Sequence, residues 1–365
     1  MSDSETSMLG PEEIEGLGGD EDASWGDYPI DTLLIRHEQR TVHDVVRRID
    51  QGSFIMDPDF QRAFIWDDEK QSKLIESVLM RIPLPVFYLA EDAQGRMIVV
   101  DGLQRLSTFD RFIKNRLRLK LPSQGDLHRK AFDDLSPKLQ NRIEDCNLVL
   151  YIVDAKVPER ARLDIFERVN SGVPLTRQQM RNSLYMGPAT AFLKEEASNT
   201  LFKKATGNSL RSDTMRDREF VNRFCAFHLL PLDSYKGDMD EFLAAALIHM
   251  NSLAPRDLGS LSADFRNTLT SNLFVFKEHA FRKHEPGQAR RSIVNASLWD
   301  VMSTGLARVP AVQVRERAEV LRERFYALMH DDEFVSAITY GPNTPKQVRH
   351  RFSVMWRALA EVFDA

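Results

Sequence analysis

The sequence predicts an α+β domain with a small mixed sheet, followed by an all-helical domain. Three observations do so. Short β-branched runs alternate with amphipathic segments up to about Leu175; apolar residues recur at helical spacing from Thr176 almost to Ala365; and the tight turn Asp101-Gly102-Leu103-Gln104-Arg105 joins an apolar strand directly to an amphipathic helix.

Thr41 with Asp44 three residues on resembles a helix start, Val42, Val45, Val46 and Ile49 supply the apolar face, and Gly52 ends it. Phe54-Ile55-Met56 is extended. The next helix runs from about Asp68 to Met80, with Leu74, Ile75, Val78 and Leu79 on one side, and stops before Pro83. Val86 to Ala90 and Arg96 to Val100 read as strands joined by a turn containing Gly95. The unbroken run Met97-Ile98-Val99-Val100 suits a buried strand, and the helix after it places Leu106, Phe109, Ile113 and Leu117 on one face. Ser136-Pro137 opens a helix, Leu148 to Val153 is a strand and Glu159 to Val169 a helix. Thr176 and Gln179 then form a capping-box pattern, and Glu241 to Met250, Ile293 to Leu306 and Val312 to His330 are long enough for packed helices.

The chain of 365 residues divides on this reading into an acidic tail (1–28), a ligand-binding domain (29–175) and a helical domain (176–365). Nine of the 54 acids fall in residues 1–28, which hold no Lys or Arg, leaving 45 acids against 49 bases in a mildly basic remainder. Such a leader is expected to be disordered. No apolar stretch long enough to span a bilayer and no secretory signal is readable, so a cytoplasmic protein is expected. Cys146 and Cys225, without ligand spacing, read as reduced thiols. His249 lies on an apolar helix face and His284 in a polar loop, neither with metal-ligand partners. Walker, zincin and serine-hydrolase signatures do not occur.

Three polar clusters fall between regular elements. At the first, a helix beginning after Gly102 aims free N–H groups and its positive dipole end at the turn. Gly102 permits close approach, Arg105 can clasp phosphate oxygens, and Ser107 and Thr108 follow in the first turns. Asp101 can hold a metal ion, orient water or accept a ribose hydroxyl. The alternative is Asp101 as a helix cap and Arg105 as a surface residue. The second cluster, Asp59-Phe60-Gln61-Arg62 with Trp66, can grip phosphate and stack on a base, or Phe60, Phe64 and Trp66 can be core anchors. The third joins Arg168, Asn170 and Gly172 to Arg181 and Asn182; an ordinary interhelical turn is its alternative. Lys346, Arg349 and Arg351 form the densest basic patch, which suits nucleic-acid phosphates or simply an exposed helix face.

In order and spacing, P-D-F-Q-R-x-x-x-W, D-G-x-Q-R-L-S-T, F-x-R-x-N-S-G-x-x-L and R-N resemble the N-terminal domain family of GmrSD-type restriction endonucleases, from about Thr41 to Asn182. The resemblance implies a ParB/sulfiredoxin-like α+β fold and a nucleotide-binding, NTP-hydrolysing regulatory subunit of an antiphage restriction system. It implies nucleotide binding and hydrolysis at the turn; together with the strand–turn–helix geometry this makes Asp101, Gln104 and Arg105 the expected catalytic residues and NTP and magnesium the expected cofactors, with Asp101 holding the magnesium ion or a water. Gly102, Ser107, Thr108, Gln61, Arg62, Trp66, Arg168, Asn170, Arg181 and Asn182 would surround the nucleotide. Leu103 departs from the family's D-G-Q-Q-R pattern and removes one polar contact. No His-containing nuclease segment is readable, so a separate nuclease polypeptide is the expected partner, with DNA as a further one. A self-associating chain is compatible with these expectations. Arg105→Ala is expected to reduce turnover without unfolding the chain. The alternative is a non-catalytic DNA-binding or adaptor protein whose same loops hold DNA phosphates.

Overall fold

The computed structural model describes residues 14–17, 34–56, 66–92, 94–169 and 176–364. They fall into two units, Trp25–Leu184 and Met1–Ser24 with Tyr185–Ala365.

The first unit is α+β. In chain order it contains β1 (Ile35–Thr41), α1 (Val42–Asp50), β2 (Phe54–Ile55), α2 (Asp68–Leu79), β3 (Phe87–Glu91), β4 (Met97–Asp101), α3 (Leu103–Ile113), α4 (Pro137–Glu144), β5 (Asn147–Val153), α5 (Glu159–Val169) and α6 (Arg177–Leu184). The sheet order is β1-β5-β3-β4-β2. β1 runs antiparallel to β5 and β3 to β4, whereas β3/β5 and β2/β4 are parallel. On one face Phe87, Leu89, Leu148, Leu150 and Ile152 join Val45, Ile75, Leu106 and Phe109 in a single core. On the alternate positions Ala90, Ile98 and Val153 are buried as well, and α6 packs against α5 and β4. Burial on both faces is the reason β4 reads as an uninterrupted apolar run.

β1 escapes sequence patterning because Arg36, Glu38 and Arg40 interrupt it. They lie opposite Ile152, Leu150 and Leu148 on an edge strand and pair with one another, with Glu38 within 3.0 Å of Arg36 and 2.6 Å of Arg40. Edge strands tolerate, and use, such charge. Thr41 caps α1 as its sequence suggests, accepting from the Asp44 N–H at 3.2 Å. α3 ends at Ile113, so the buried Leu117 belongs to the chain beyond the helix. α6, which patterning groups with the helical half, belongs to the first unit because its buried residues lie against α5 and β4.

The second unit contains α7 (Pro188–Ser198), α8 (Thr200–Thr206), α9 (Arg216–Leu229), α10 (Met239–Ser252), α11 (Pro255–Phe276), α12 (Ala296–Gly305), α13 (Ala311–Glu316), α14 (Ala318–Met329), α15 (Asp332–Thr339) and α16 (Pro345–Phe363). The segment read as one helix from Val312 is thus two, broken at Arg317. Trp299 anchors the core. It is fully buried among Phe202, Phe220, Phe265 and Phe281, and its indole N–H donates to the Phe220 carbonyl at 2.8 Å. Beside it, Asp300 receives Arg223 at 2.6 Å and Arg351 at 2.8 Å, all three fully buried.

Within the acidic leader, residues 14–17 dock on this unit. The Glu15 N–H donates to the Val294 carbonyl, its carbonyl accepts from Ala296, and its carboxylate meets Lys283 at 2.6 Å. Cys225 is buried and Cys146 half-buried, both as free thiols. Among the described residues no helix is long and apolar enough to cross a membrane.

Candidate functional site

β4 delivers Asp101 to the end of the sheet, directly opposite Tyr88 of β3, with a register break between Tyr88 and Leu89. The chain then reverses through Gly102 at φ 100°, the cap residue of α3, with no side chain bonding the helix's first turn. Asp101 is therefore not the cap. Glycine is required twice over: its backbone is left-handed, and a Cβ would stand 2.3 Å from the Phe87 ring. Gly102 is itself buried. It serves the packing of α3 on β3, and the approach it permits is that of Phe87.

Arg105, one turn into α3, is 9% exposed. Its guanidinium donates to the carbonyls of Pro85 and Val86, the latter at 3.1 Å, and to the Asp101 carboxylate at 2.9 Å. The same group lies 4.2 Å from the Phe87 ring centroid. Burial draws its pKa below the usual arginine value, and Asp101 acts in the opposite direction. Arg105 is thus neither a surface residue nor a guanidinium turned toward a ligand: both terminal nitrogens hold protein groups. It clasps the connector entering β3 to the end of β4. The Asp101 side chain remains 31% exposed.

Gln104 projects on another side. Its side-chain oxygen accepts from the Trp66 N–H at 3.3 Å; the Trp66 carbonyl accepts from the Gln71 amide at 2.8 Å, and Gln71 accepts from Arg111 at 2.7 Å. This relay joins α3 to α2 and brings the second cluster's Trp66 to the first. Trp66 is half-buried against the core, which supports its anchoring role. The Thr108 hydroxyl is buried and donates to the Gln104 carbonyl at 2.7 Å, whereas Ser107 is half-buried. In the third cluster Arg168 is exposed. Arg181 is 1% exposed and donates to Gln178 at 2.9 and 3.1 Å, and Gln178 donates to Asn182 at 2.9 Å, a polar group buried on α6. The Thr176–Gln179 capping box is present. Gln61, Arg62 and Asn170 lie outside the described residues.

The basic patch divides. Lys346 and Arg349 are exposed on α16, but Arg351 is fully buried on Asp300 and the Pro342 carbonyl, so it is corrected from a phosphate contact to a core ion-pair residue. His249 is exposed rather than on the apolar face, and His284 is buried. Sequence reasoning missed Phe87, which fills the space opposite Gly102, and Tyr88, which faces Asp101. Strand register alone reveals either.

Residues 42–186 match the family model described as GmrSD restriction endonuclease, N-terminal domain. No curated protein and no solved structure matches the chain. That model covers nearly the whole of the five-stranded α+β unit, with the Asp101–Arg105 turn at the end of β4, so residues 42–186 are similar to a GmrSD restriction endonuclease N-terminal domain.

Proposed function

We propose that this domain binds a nucleoside triphosphate at the β4–α3 turn and hydrolyses it, as the regulatory part of a restriction system whose nuclease is a separate polypeptide. One observation supports the reading: Trp66 of the second motif and α6 of the third lie against the elements that form the turn. Asp101 ends β4, Gln104 is tied to Trp66, and α6, bearing Arg181 and Asn182, packs on β4. α3 begins without a side-chain cap, so its first-turn N–H groups supply the phosphate contacts that Arg105, held by protein carbonyls, does not. Arg105 holds Asp101 in place. One Asp101 oxygen receives Arg105, and the other orients the attacking water, with Gln104 positioning the nucleotide.

Magnesium fits this turn in one form only. Asp101 is a single carboxylate, and among the described residues no group of three or more His, Cys, Asp or Glu comes together. That suits an ion held mainly by phosphates and water. Bound so, it would neutralise charge developing on the phosphates. Purified full-length chain should hydrolyse at least one of the four common NTPs in magnesium, and Asp101→Asn should lower turnover at least tenfold. Absence of both hydrolysis and calorimetric NTP binding refutes the reading.

The committed guanidinium of Arg105 favours one second reading, a non-catalytic adaptor whose loops hold DNA phosphates. Steeply salt-dependent duplex binding without NTP affinity would establish it.

A further inference from the structure

A cleft lined by basic side chains lies at the same end of the sheet, in residues no motif marks. A cleft of about 500 Å³ opens between the end of α2 and α4, lined by Arg81, Lys138 and Arg142 together with Asn141, Asn147 and the aliphatic connector Ile82-Pro83-Leu84. Asp145 is the one carboxylate on its wall. Arg81 and Lys138 are exposed, and Arg142 donates to the Leu79 carbonyl at 3.0 Å; none of the three forms an ion pair among the described residues. This contrasts with Arg36, Arg40, Arg47, Arg48 and Arg96 of the same unit, which are all paired.

Arg81 holds an uncommon position. It ends α2 at φ 59°, with its N–H donating to Val78 and the Ile82 N–H to Ser77, the paired bonds of a helix stop whose left-handed residue is ordinarily glycine. An arginine there carries local strain and sets a cation at the lip of the cleft. Leu84 precedes β3, Asn147 opens β5 and both line the cleft, which therefore lies at the entry ends of these two parallel strands. The connector lining it, 82–84, runs straight into the Pro85 and Val86 carbonyls that Arg105 clasps. The motif arginine thereby fixes one wall of the cleft.

We propose that this cleft holds the sugar–phosphate backbone of duplex DNA. Unpaired cations and amides suit phosphodiester oxygens, and the aliphatic wall suits sugar edges. No aromatic ring lines it on which a base could stack, which favours a backbone over a free nucleotide. The proposal does not depend on nucleotide turnover at Asp101.

Full-length chain is titrated into labelled duplex DNA by fluorescence anisotropy over a series of salt concentrations, alongside Arg81→Gly and Arg81→Gly/Lys138→Gln. Glycine fits the left-handed position, so Arg81→Gly should keep or raise the melting temperature while weakening DNA binding, which separates binding from folding. The slope of log K against log salt should fall by about 1 in the single and about 2 in the double variant. Wild-type chain that binds no duplex, or an unchanged slope and affinity in the double variant, overturns the proposal. So does a double variant that loses ATP affinity but keeps DNA affinity, the result for a nucleotide cleft.

Discussion

Arg105→Ala tests whether the family's motif arginine is structural in this chain. The perturbation removes donors from the Pro85 and Val86 carbonyls, a partner from Asp101 and a cation from the face of Phe87. Pro85 is exposed, so water replaces its lost bond at little cost, whereas Val86 is half-buried and its unsatisfied acceptor costs about 1–2 kcal/mol. The ring contact adds about 1 kcal/mol. Loss of the packed stem adds about another. The Asp101 ion pair, 31% exposed on the acid side, is discounted to below about 1 kcal/mol. The sum is about 3–5 kcal/mol, a large share of the roughly 5–15 kcal/mol that holds a domain together.

The predicted loss is local to one of two units, so the assay is hydrogen exchange by mass spectrometry on peptides covering residues 84–106. Protection should collapse there in Arg105→Ala. Arg105→Lys, a point charge without the planar fork, should recover little of it. This revises the expectation from motif spacing that the variant loses turnover while the chain stays folded. Lost activity with wild-type protection at Pro85 to Asp101 would refute the clasp and return Arg105 to the ligand.

Two further outcomes follow from the helical unit. Asp300→Ala strands two fully buried guanidiniums, Arg223 and Arg351, and should cost about 3–5 kcal/mol, read as a lowered urea midpoint in tryptophan fluorescence; an effect below about 1 kcal/mol would show that the charges find other partners. Burial, outweighing Asp264 at His228 and the Arg282 carbonyl at His284, holds both imidazoles below the ordinary value of 6.5. The unfolded chain therefore takes up protons first, so this stability is complete above about pH 6.5 and is lost as pH falls below it. Melting temperatures should decline from pH 7 to 5 and decline less in His284→Gln; parallel profiles would remove His284 from the account.

Much of the fold was legible because period and capping agree along the chain: α1, α2, β4 and β5 each carry their own pattern of apolar positions and stop signals, while α3 shows its start but not its end. β1 was not, since Arg36, Glu38 and Arg40 break any apolar alternation; they pair with one another along an edge strand, and the apolar neighbours opposite them on β5 are invisible in one dimension. The same limit applies to Arg351. A run of four bases within six residues looks like a surface patch, yet the helix turns Arg351 inward to a carboxylate 51 positions away. Charge density along a sequence carries no phase; burial does.

The Asp101–Arg105 turn shows why a motif can be recognised correctly while its residues are assigned the wrong partners. A guanidinium fork matches two backbone carbonyls as well as two phosphate oxygens, and a left-handed glycine admits an aromatic ring as readily as a pyrophosphate. Spacing cannot separate these cases, because both need arginine one helical turn beyond the glycine. What separates them is Phe87. With its ring across Gly102 and under Arg105, the turn is filled from the β3 side, and on the proposed reading a nucleotide meets the Asp101 carboxylate, Gln104 and the uncapped α3 terminus. Arg105 then acts at one remove, holding the acid on one side and the connector to the basic cleft on the other. In that arrangement Arg105→Ala damages nucleotide and DNA binding together, whereas Asp101→Asn and Arg81→Gly each damage one.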